Sequence, residues 1–421
     1  MGENPGVRLS PRHALRRPVL VAACVLAALA APAGAADSGD VANDSGLQWN
    51  LDRIGAEAAW STSTGAGTTI AVVDSGVALE HEDLVDKLDA GVACRDTAGD
   101  PARCTGSPQD DDGHGTHVAG VAAATTGNGL GIAGTAPDAR IMPIKVLFSA
   151  CDTCQSTGEA EDVSAAVRWA ADRGATVINL SLGSTTSSVF GPGFADAVRY
   201  AWAKGSIPVV AAGNDYVLTA DLGDAPAVVV SATDHEDLAP GYSNGVGAAR
   251  WAVAAPGGDG SDTPESCSQR GEPRGVLSTW WSLADPVGGY ACLSGTSMAA
   301  PHVSGALAVL RSAGLAPEVA VQRLLDTAVD LGDPGPDPIF GAGRIDLAAA
   351  LAGVEVTTAS PTSEPVAPVE PTPTEEAVAP RAGDGADLPV GLVLLAGILI
   401  AGTGAASTVA LTRARRPARH P

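Results

Sequence analysis

Ser297 stands at the start of an apolar helical stretch, in residues 295–305 (GTSMAAPHVSG). The leading glycine predicts a tight turn, and Pro301 is compatible with a helix that begins only a few residues earlier. A serine in the first turn of a helix lies near free backbone N–H groups and the positive end of the helix dipole, which favour negative charge on its oxygen. Such a hydroxyl is a candidate nucleophile if a base elsewhere takes its proton.

Two upstream segments could supply that base and a group that orients it. Residues 70–76 (IAVVDSG) form a short apolar run with Asp74 near its end. A buried parallel strand delivers a side chain to the carboxyl edge of a sheet in this way. Residues 113–120 (GHGTHVAG) place His114 at the start of a second predicted helix, after a glycine. An aspartate, a histidine and a serine in this chain order are one known arrangement for nucleophilic catalysis.

These three segments resemble the catalytic motifs of the subtilisin-like serine proteases. A fourth segment, AAGN at 211–214, resembles the part of that family that carries an oxyanion-stabilising asparagine. The resemblance spans roughly 54–351. It implies a serine endopeptidase with no organic cofactor, in which the following residues act in catalysis: Asp74, His114 and Ser297 as the triad and Asn214 in the oxyanion hole. It also implies that the substrate backbone is bound along Ser181, Leu182, Gly183, Ala212 and Gly213.

The pattern of the chain from residue 70 onward predicts an α/β fold. Short apolar runs alternate with amphipathic helical patterns. The predicted strands are 140–147, 177–182, 207–211 and 225–232, and the predicted helices are 161–173, 193–204 and 317–328. Strands and helices in alternation favour a doubly wound parallel sheet flanked by helices, with right-handed crossovers. Residues 341–346 resemble the closing turn and strand of the family domain.

The ends of the chain predict export and a membrane anchor. Four arginines, an apolar run at 19–31 and small residues at 33–35 are typical of a secretory signal peptide. Residues 388–411 carry no charge and exceed the roughly 20 residues that a membrane-spanning helix needs. Arginines at 413–419 then predict a cytoplasmic C-terminus and an extracytoplasmic catalytic domain. The predicted organisation is signal peptide 1–35, N-terminal arm 36–68, peptidase domain 69–353, Pro/Thr/Glu-rich linker 354–387, transmembrane helix 388–411 and basic tail 412–421.

The N-terminal arm is too short for the pro-domain that many secreted relatives carry, which leaves the route of activation open. We expect Leu51, Ile54 and Trp60 to pack the arm against the domain as an apolar helical face.

The cysteines favour disulfides in an exported protein. One of the seven, Cys24, belongs to the predicted signal peptide. Six remain as neighbours in sequence: Cys94 with Cys104, Cys151 with Cys154, and Cys267 with Cys292. Neighbour pairing is the leading interpretation, but the connectivity is open. A redox role for Cys151 and Cys154 is the alternative, and a zinc site is disfavoured because no second close pair accompanies the first.

Composition excludes some partners. The formal net charge of −23 argues against a nucleic-acid partner, because phosphate contacts need clustered lysine and arginine. We expect protein or peptide substrates instead.

The acidic run 110–112 could bind a cation, but a solvated loop is the simpler interpretation. Relatives often hold calcium, yet the glycine-rich loop 125–130 lacks a convincing set of oxygen ligands, so we predict no metal site.

The layout of export signal, protease domain, proline-rich linker and terminal span resembles the mycosins, the membrane-anchored subtilisin-like proteases of type VII secretion. This resemblance implies a single-pass protein of the cell membrane that cleaves exported proteins, beside membrane proteins of a secretion complex. A broadly degradative protease and a structural scaffold are the alternatives. We also expect activity to be lost as His114 becomes protonated below about pH 6–7.

Overall fold

The structure is a computed structural model, and it describes residues 40, 46–149, 156–182, 193–214, 222, 224–261 and 274–355. The chain divides into two units, 1–359 and 360–421, and every described residue belongs to the first. The predicted signal peptide and transmembrane helix and most of the predicted linker lie outside the described residues. Within the described ranges, no helix is long and apolar enough to cross a membrane.

Seven parallel strands form the central sheet. Their bounds are β1 Thr69–Asp74, β2 Val92–Ala93, β3 Arg140–Lys145, β4 Val177–Leu180, β5 Ile207–Ala211, β6 Val228–Thr233 and β7 Trp251–Pro256. They lie in the order β2-β3-β1-β4-β5-β6-β7, and each neighbouring pair is parallel. After β1 the chain forms β2 at the edge of the sheet, returns to form β3 between β2 and β1, and then crosses to β4 on the other side of β1. The strand order therefore reverses between β1 and β4, which is where open α/β sheets bind their ligands.

Helices cover both faces of this sheet. Their bounds are α1 Trp49–Arg53, α2 Ala56–Trp60, α3 His114–Ala123, α4 Ala160–Asp172, α5 Phe194–Ala203, α6 Thr296–Ser312, α7 Pro317–Asp326 and α8 Leu347–Leu351. Side chains alternate along β1, so that Ile70 and Val72 join the core with α3 and α6, while Ala71 and Val73 join the core with α4 and α5. An antiparallel hairpin, β8 Val276–Trp280 and β9 Gly289–Leu293, precedes α6.

The predicted α/β sheet flanked by helices is confirmed. The predicted strands and helices given above differ from the observed ones by at most three residues at either end, and the strand 207–211 matches β5 completely. β2, β7, the β8–β9 hairpin and α8 were not predicted. The N-terminal arm packs as expected, because Leu51 and Ile54 are buried in the core. The indole Nε1 of Trp60 also donates to the Thr135 carbonyl at 3.0 Å.

One of the predicted cysteine pairs is joined in the described residues, a disulfide between Cys94 and Cys104. Cys292 is also disulfide-bonded. The remaining three candidates, Cys151, Cys154 and Cys267, lie outside the described residues.

Candidate active site

Asp74, His114 and Ser297 come to one edge of the sheet. Asp74 is the last residue of β1, His114 opens α3, and Ser297 is the second residue of α6. α6 and α3 are in close contact at Gly305 and Ala122. A Cβ added to Gly305 would lie 2.9 Å from the Ala122 carbonyl oxygen. Each of these residues lies two turns beyond the candidate residue of its own helix. The helices therefore begin side by side at the carboxyl edge of the strands.

His114 and Asp74 form a direct pair. The ring Nδ1 lies 2.7 Å from Oδ1 of Asp74, a fully buried carboxylate that also accepts from the Ser75 backbone N–H at 2.7 Å. Because a carboxylate only accepts, Nδ1 must carry the proton of this bond. The other ring nitrogen, Nε2, is then unprotonated in the neutral ring. This is the tautomer that can take a proton from a hydroxyl.

The surroundings of His114 change its basicity. Burial lowers the pKa of the ring, but the charge of Asp74 and its hydrogen bond outweigh burial, with smaller contributions from Asp112 and Asp110. Together they raise the pKa of His114 from 6.5 to about 9. The pair therefore favours the imidazolium that forms when the ring accepts a proton.

Ser297 is buried and linked to the end of β4. Its Oγ donates to the Ser181 carbonyl at 3.3 Å, and the Oγ of Ser181 donates to the Ser297 carbonyl at 2.8 Å. Among the described residues, no hydrogen bond joins the Ser297 hydroxyl to the His114 ring. Catalytic hydrogen bonds are often long or absent without substrate and tighten when it binds. The expected serine–histidine contact is thus prepared by the positions of the helices but not formed in this state.

A buried chain of polar groups supports Ser181 from behind. Asn179 donates its amide N–H to the Oγ of Ser181 at 2.9 Å, and the hydroxyl of Ser304 donates to the amide oxygen of Asn179 at 2.8 Å. These three side chains are at most 1% exposed. Buried polar groups cost free energy unless they are paired, so this chain constrains where the first turn of α6 can lie.

Asn214 lies beside the first turn of α6 with its amide held in one orientation. Its Oδ1 accepts from the backbone N–H of Thr296 at 2.9 Å and from the Thr296 hydroxyl at 3.0 Å. Two donors at Oδ1 fix the side chain so that Nδ2 points the other way. A Cβ added to Gly295 would lie 3.3 Å from Nδ2. Among the described residues, the amide N–H groups of Asn214 have no acceptor, so they are available as donors beside Ser297.

The predicted substrate-binding segments follow β4 and β5 directly. Ser181 and Leu182 are buried at the end of β4, whereas Gly183 lies outside the described residues. The Ala212 N–H donates to the Val230 carbonyl at 2.9 Å, and the Gly213 N–H donates to the Thr296 hydroxyl at 3.0 Å. These two N–H groups are thus engaged within the domain and do not point freely to a substrate.

Two further histidines near the site are structural, as expected. His117 contacts the carbonyls of Val276 and Ala291 through Nε2 at 3.0 and 3.1 Å. His302 contacts the Met298 carbonyl through Nδ1 and Asn50 through Nε2, both at 2.8 Å. Burial lowers the pKa of His117 to about 3 and of His302 to about 4, so both rings stay neutral.

Asp83 lies beside the glycine-rich loop 125–130 and is bound to three donors. The carboxylate of Asp83 accepts from the Asn128 amide at 2.8 Å, from the Ile132 N–H at 3.0 Å and from the Tyr290 hydroxyl at 2.9 Å. Within the described ranges, no group of three or more His, Cys, Asp or Glu could hold a metal ion.

Sequence reasoning missed several residues that position the site. Ser75, Asp110, Asn179, Thr296 and Ser304 each contact a candidate catalytic residue or its neighbour. Most of these contacts join residues far apart in the chain, with separations of 82 for Thr296 and Asn214 and 125 for Ser304 and Asn179. No local pattern could have identified them, although Ser75 and Thr296 adjoin predicted catalytic residues.

Comparisons with known proteins show the family to which this chain belongs. Residues 65–343 match the model of the Subtilase family. Thermitase of Thermoactinomyces vulgaris is 35% identical over 304 residues, which are 72% of this chain and 95% of thermitase. Subtilisin Savinase of Lederbergia lenta is 32% identical over 310 residues, 72% of this chain and 98% of that protein.

Among solved structures, a protease of Pseudoalteromonas arctica superposes with a TM-score of 0.61 at 28% identity, covering 75% of this chain and 99% of that one. The parallel sheet, the Asp74–His114 pair and the helical serine therefore occur in a chain whose relatives are proteases. This chain belongs to the subtilase family and is a subtilisin-like serine endopeptidase.

Proposed function

We propose that this protein is a membrane-anchored endopeptidase that cleaves exported proteins through Asp74, His114 and Ser297. The observation that carries the chemistry is the Asp74–His114 bond of 2.7 Å, because it leaves Nε2 free as the base. Ser297 attacks the peptide carbonyl as Nε2 takes its proton, and the ring then gives that proton to the leaving amine. Asp74 holds the tautomer and stabilises the imidazolium. Water and the same base complete hydrolysis of the acyl-enzyme.

Ser297 must turn toward the base before it reacts. Its bond to the Ser181 carbonyl, at 3.3 Å, is long for an O–H donor and so costs little to break. Rotation of the serine side chain about χ1 would redirect the hydroxyl while the chain Ser181, Asn179 and Ser304 keeps the helix start fixed. We propose that substrate binding favours this rotated position.

The oxyanion of the tetrahedral intermediate is stabilised by the Asn214 amide and by the Ser297 backbone N–H at the start of α6. Thr296 supports this by holding Oδ1 of Asn214 and so directing Nδ2 outward. The substrate chain lies along Ser181–Gly183, and the carboxyl end of β4 provides the strand to which it pairs.

The proposed location rests on sequence outside the described residues. The uncharged run 388–411 followed by arginines supports a single C-terminal span with the protease domain outside the cytoplasm. Together with the predicted signal peptide and the proline-rich linker, this layout resembles the mycosins, and we infer a role in type VII secretion. A tethered enzyme meets proteins as they leave the cell, which favours limited processing over bulk degradation.

The test separates cleavage from secretion. Cells carrying Ser297→Ala are compared with cells carrying the wild-type chain and with a deletion, and both exported proteins and their cleavage products are quantified. Loss of specific cleavage products in Ser297→Ala supports the proposal. Unchanged processing in both the variant and the deletion would exclude it. If secretion fails in the deletion but persists in Ser297→Ala, the secretion complex needs the folded protein as a structural part, in addition to its cleavage activity.

A further inference from the structure

Asp110 belongs to the acidic run 110–112. Its side chain is buried between the turn that follows Asp74 and the first turn of the helix that begins at His114. It is 1% exposed. Its neighbour Asp111 instead pairs with the Lys145 ammonium at 2.7 Å, and Asp112 accepts from the Ser156 hydroxyl at 2.6 Å. Each of the three carboxylates thus takes donors of its own within the protein. The prediction of a solvated loop is therefore wrong for Asp110, which is buried, while the side chain of Asp111 is partly exposed.

Five donors converge on the Asp110 carboxylate. Oδ1 accepts from the Ser75 hydroxyl at 2.9 Å and from the backbone N–H groups of Asp112 and Gly113, each at 3.0 Å. Oδ2 accepts from the Thr116 N–H at 3.0 Å and from the Thr116 hydroxyl. Burial raises the pKa of Asp110, and the hydrogen bonds from the Thr116 hydroxyl, the Gly113 and Asp112 N–H groups and the Ser75 hydroxyl oppose the rise. A full set of donors is suited to the ionised carboxylate.

These donors come from both sides of the Asp74–His114 pair. Ser75 directly follows Asp74, whereas Gly113 and Thr116 flank His114. The Ser75 hydroxyl also accepts from the Gly115 N–H at 2.9 Å, so it joins the same two segments a second time. The turn after β1 and the first turn of α3 are therefore bound to one buried charge.

We propose that Asp110 is a positioning residue for the reaction: its carboxylate fixes the turn after Asp74 against the start of α3 and so sets the geometry of the Asp74–His114 bond. The inference rests on the proposed function of that pair. Asp110 does not contact the reacting atoms. Its effect is to keep Nε2 at the position where it meets the serine hydroxyl, and small displacements there are costly because the reaction needs near-attack geometry.

The test is Asp110→Asn, with Asp111→Asn as the matched control. Both remove one negative charge from adjacent positions, but Asp111 is bound to Lys145 on β3 rather than to the helix start, and its side chain is 38% exposed. Active sites are counted with a phosphonylating reagent, and kcat and KM for a peptide substrate are measured per active site across pH. We expect Asp110→Asn to lower kcat by about 10- to 100-fold with KM changed less than about twofold. Asp111→Asn should stay within about twofold of wild type.

The pH dependence of kcat/KM distinguishes the proposed role of Asp110 from a purely structural one, because a purely structural role would not shift its acidic limb. The charged groups that face His114 are Asp74 from β1 and Asp110 and Asp112 from its own loop, while His117 and His302 stay neutral. Lys145 is paired with Asp111. Loss of the Asp110 charge makes the imidazolium less favourable. The acidic limb of kcat/KM should therefore move to lower pH in Asp110→Asn and stay in place in Asp111→Asn.

A second variant keeps the proposal testable if Asp110→Asn does not fold. Ser75→Ala removes the donor to Asp110 and the acceptor for Gly115, and we expect a smaller fall in kcat of about three- to tenfold. A wild-type kcat per active site in Asp110→Asn would overturn the proposal. Where Asp110→Asn cannot be isolated, a wild-type kcat per active site in Ser75→Ala would overturn it. His114→Ala is measured in parallel, because residual wild-type activity there would instead refute the proposed function.

Discussion

Single side chains decide how the proposed reaction runs, and His114 is the most constrained of them. Its pKa of about 9 arises because the adjacent Asp74 charge outweighs burial. The value lies above the pH range of 6–7 that the residue type alone suggests. The difference comes from the buried carboxylate, whose contact with the ring is visible only in three dimensions.

The acidic limb of activity should therefore lie at high pH. His114 accepts a proton only when neutral, and a raised pKa keeps it protonated until the pH approaches about 9. We expect kcat/KM to rise through neutral pH, with activity at pH 7 only roughly a hundredth of the plateau. The measurement is kcat/KM against pH at constant ionic strength. A limb centred near 6.5 would show that Asp74 does not act on His114 as the geometry indicates.

Asn214 should matter for kcat and little for KM. Replacing it with Ala removes one donor to the oxyanion, which costs about 10²- to 10³-fold in kcat, the size known for one such donor in subtilisin. Thr296→Val retains the side-chain shape but loses the hydroxyl that holds Oδ1, so a smaller loss of the same kind is expected. Steady-state kinetics on both variants provides the check. If KM instead rose by as much as kcat fell, Asn214 would have a role in substrate binding.

The helices and strands bring together side chains that are far apart in the sequence, and only part of this arrangement could be predicted. The motifs around Asp74, His114 and Ser297 could be predicted because each lies within one short segment at the end of a strand or the start of a helix. β7 could not, because half of its six residues are alanines of weak strand propensity and its pairing with β6 makes it a strand. Asp110 and Ser304 were missed for a similar reason, since their roles depend on partners from other elements.

Close contact between α3 and α6 sets the separation of His114 from Ser297. A Cβ at Gly305 would lie 2.6 Å from the Cβ of Thr135 and 2.9 Å from the Ala122 carbonyl oxygen. Gly305→Ala gains up to about 1 kcal/mol of helix propensity, but overpacking costs about 1–3 kcal/mol, so we expect a net loss of stability. The control is Gly288→Ala, whose added Cβ would meet only Glu82, at 3.4 Å. Denaturant unfolding of both variants tests this. Gly305→Ala at or above wild-type stability would mean that the helices can separate freely.

The chain as a whole combines a subtilase domain with predicted segments that the described residues do not include. The family and the doubly wound sheet follow from residues 65–343. The predicted anchor rests on composition alone, because an uncharged run followed by arginines can be identified without any tertiary contact. The predicted partners of a secretion complex rest on the layout of these segments.

Removal of residues 388–421 should release an active enzyme from the membrane. The deleted run is the only predicted hydrophobic attachment of the mature chain, so the truncated protein should appear in the medium with wild-type kcat and KM. Fractionation of membranes and medium, with activity assayed in each, is the measurement. A truncated chain that stays in the membrane fraction would contradict the anchor, and replacement of 388–411 by an unrelated apolar span should restore retention.

Covalent labelling shows whether Ser297 is the nucleophile and His114 its base. The wild-type protein is treated with a phosphonylating reagent at a pH where His114 is neutral, and the modified residue is located by peptide mass spectrometry. We expect one label, on Ser297, in the wild-type protein and no label in Ser297→Ala. In His114→Ala we expect labelling to be slower by at least about 10³-fold. A label on another serine, or an unchanged rate in His114→Ala, would show that these three side chains do not act as one catalytic unit.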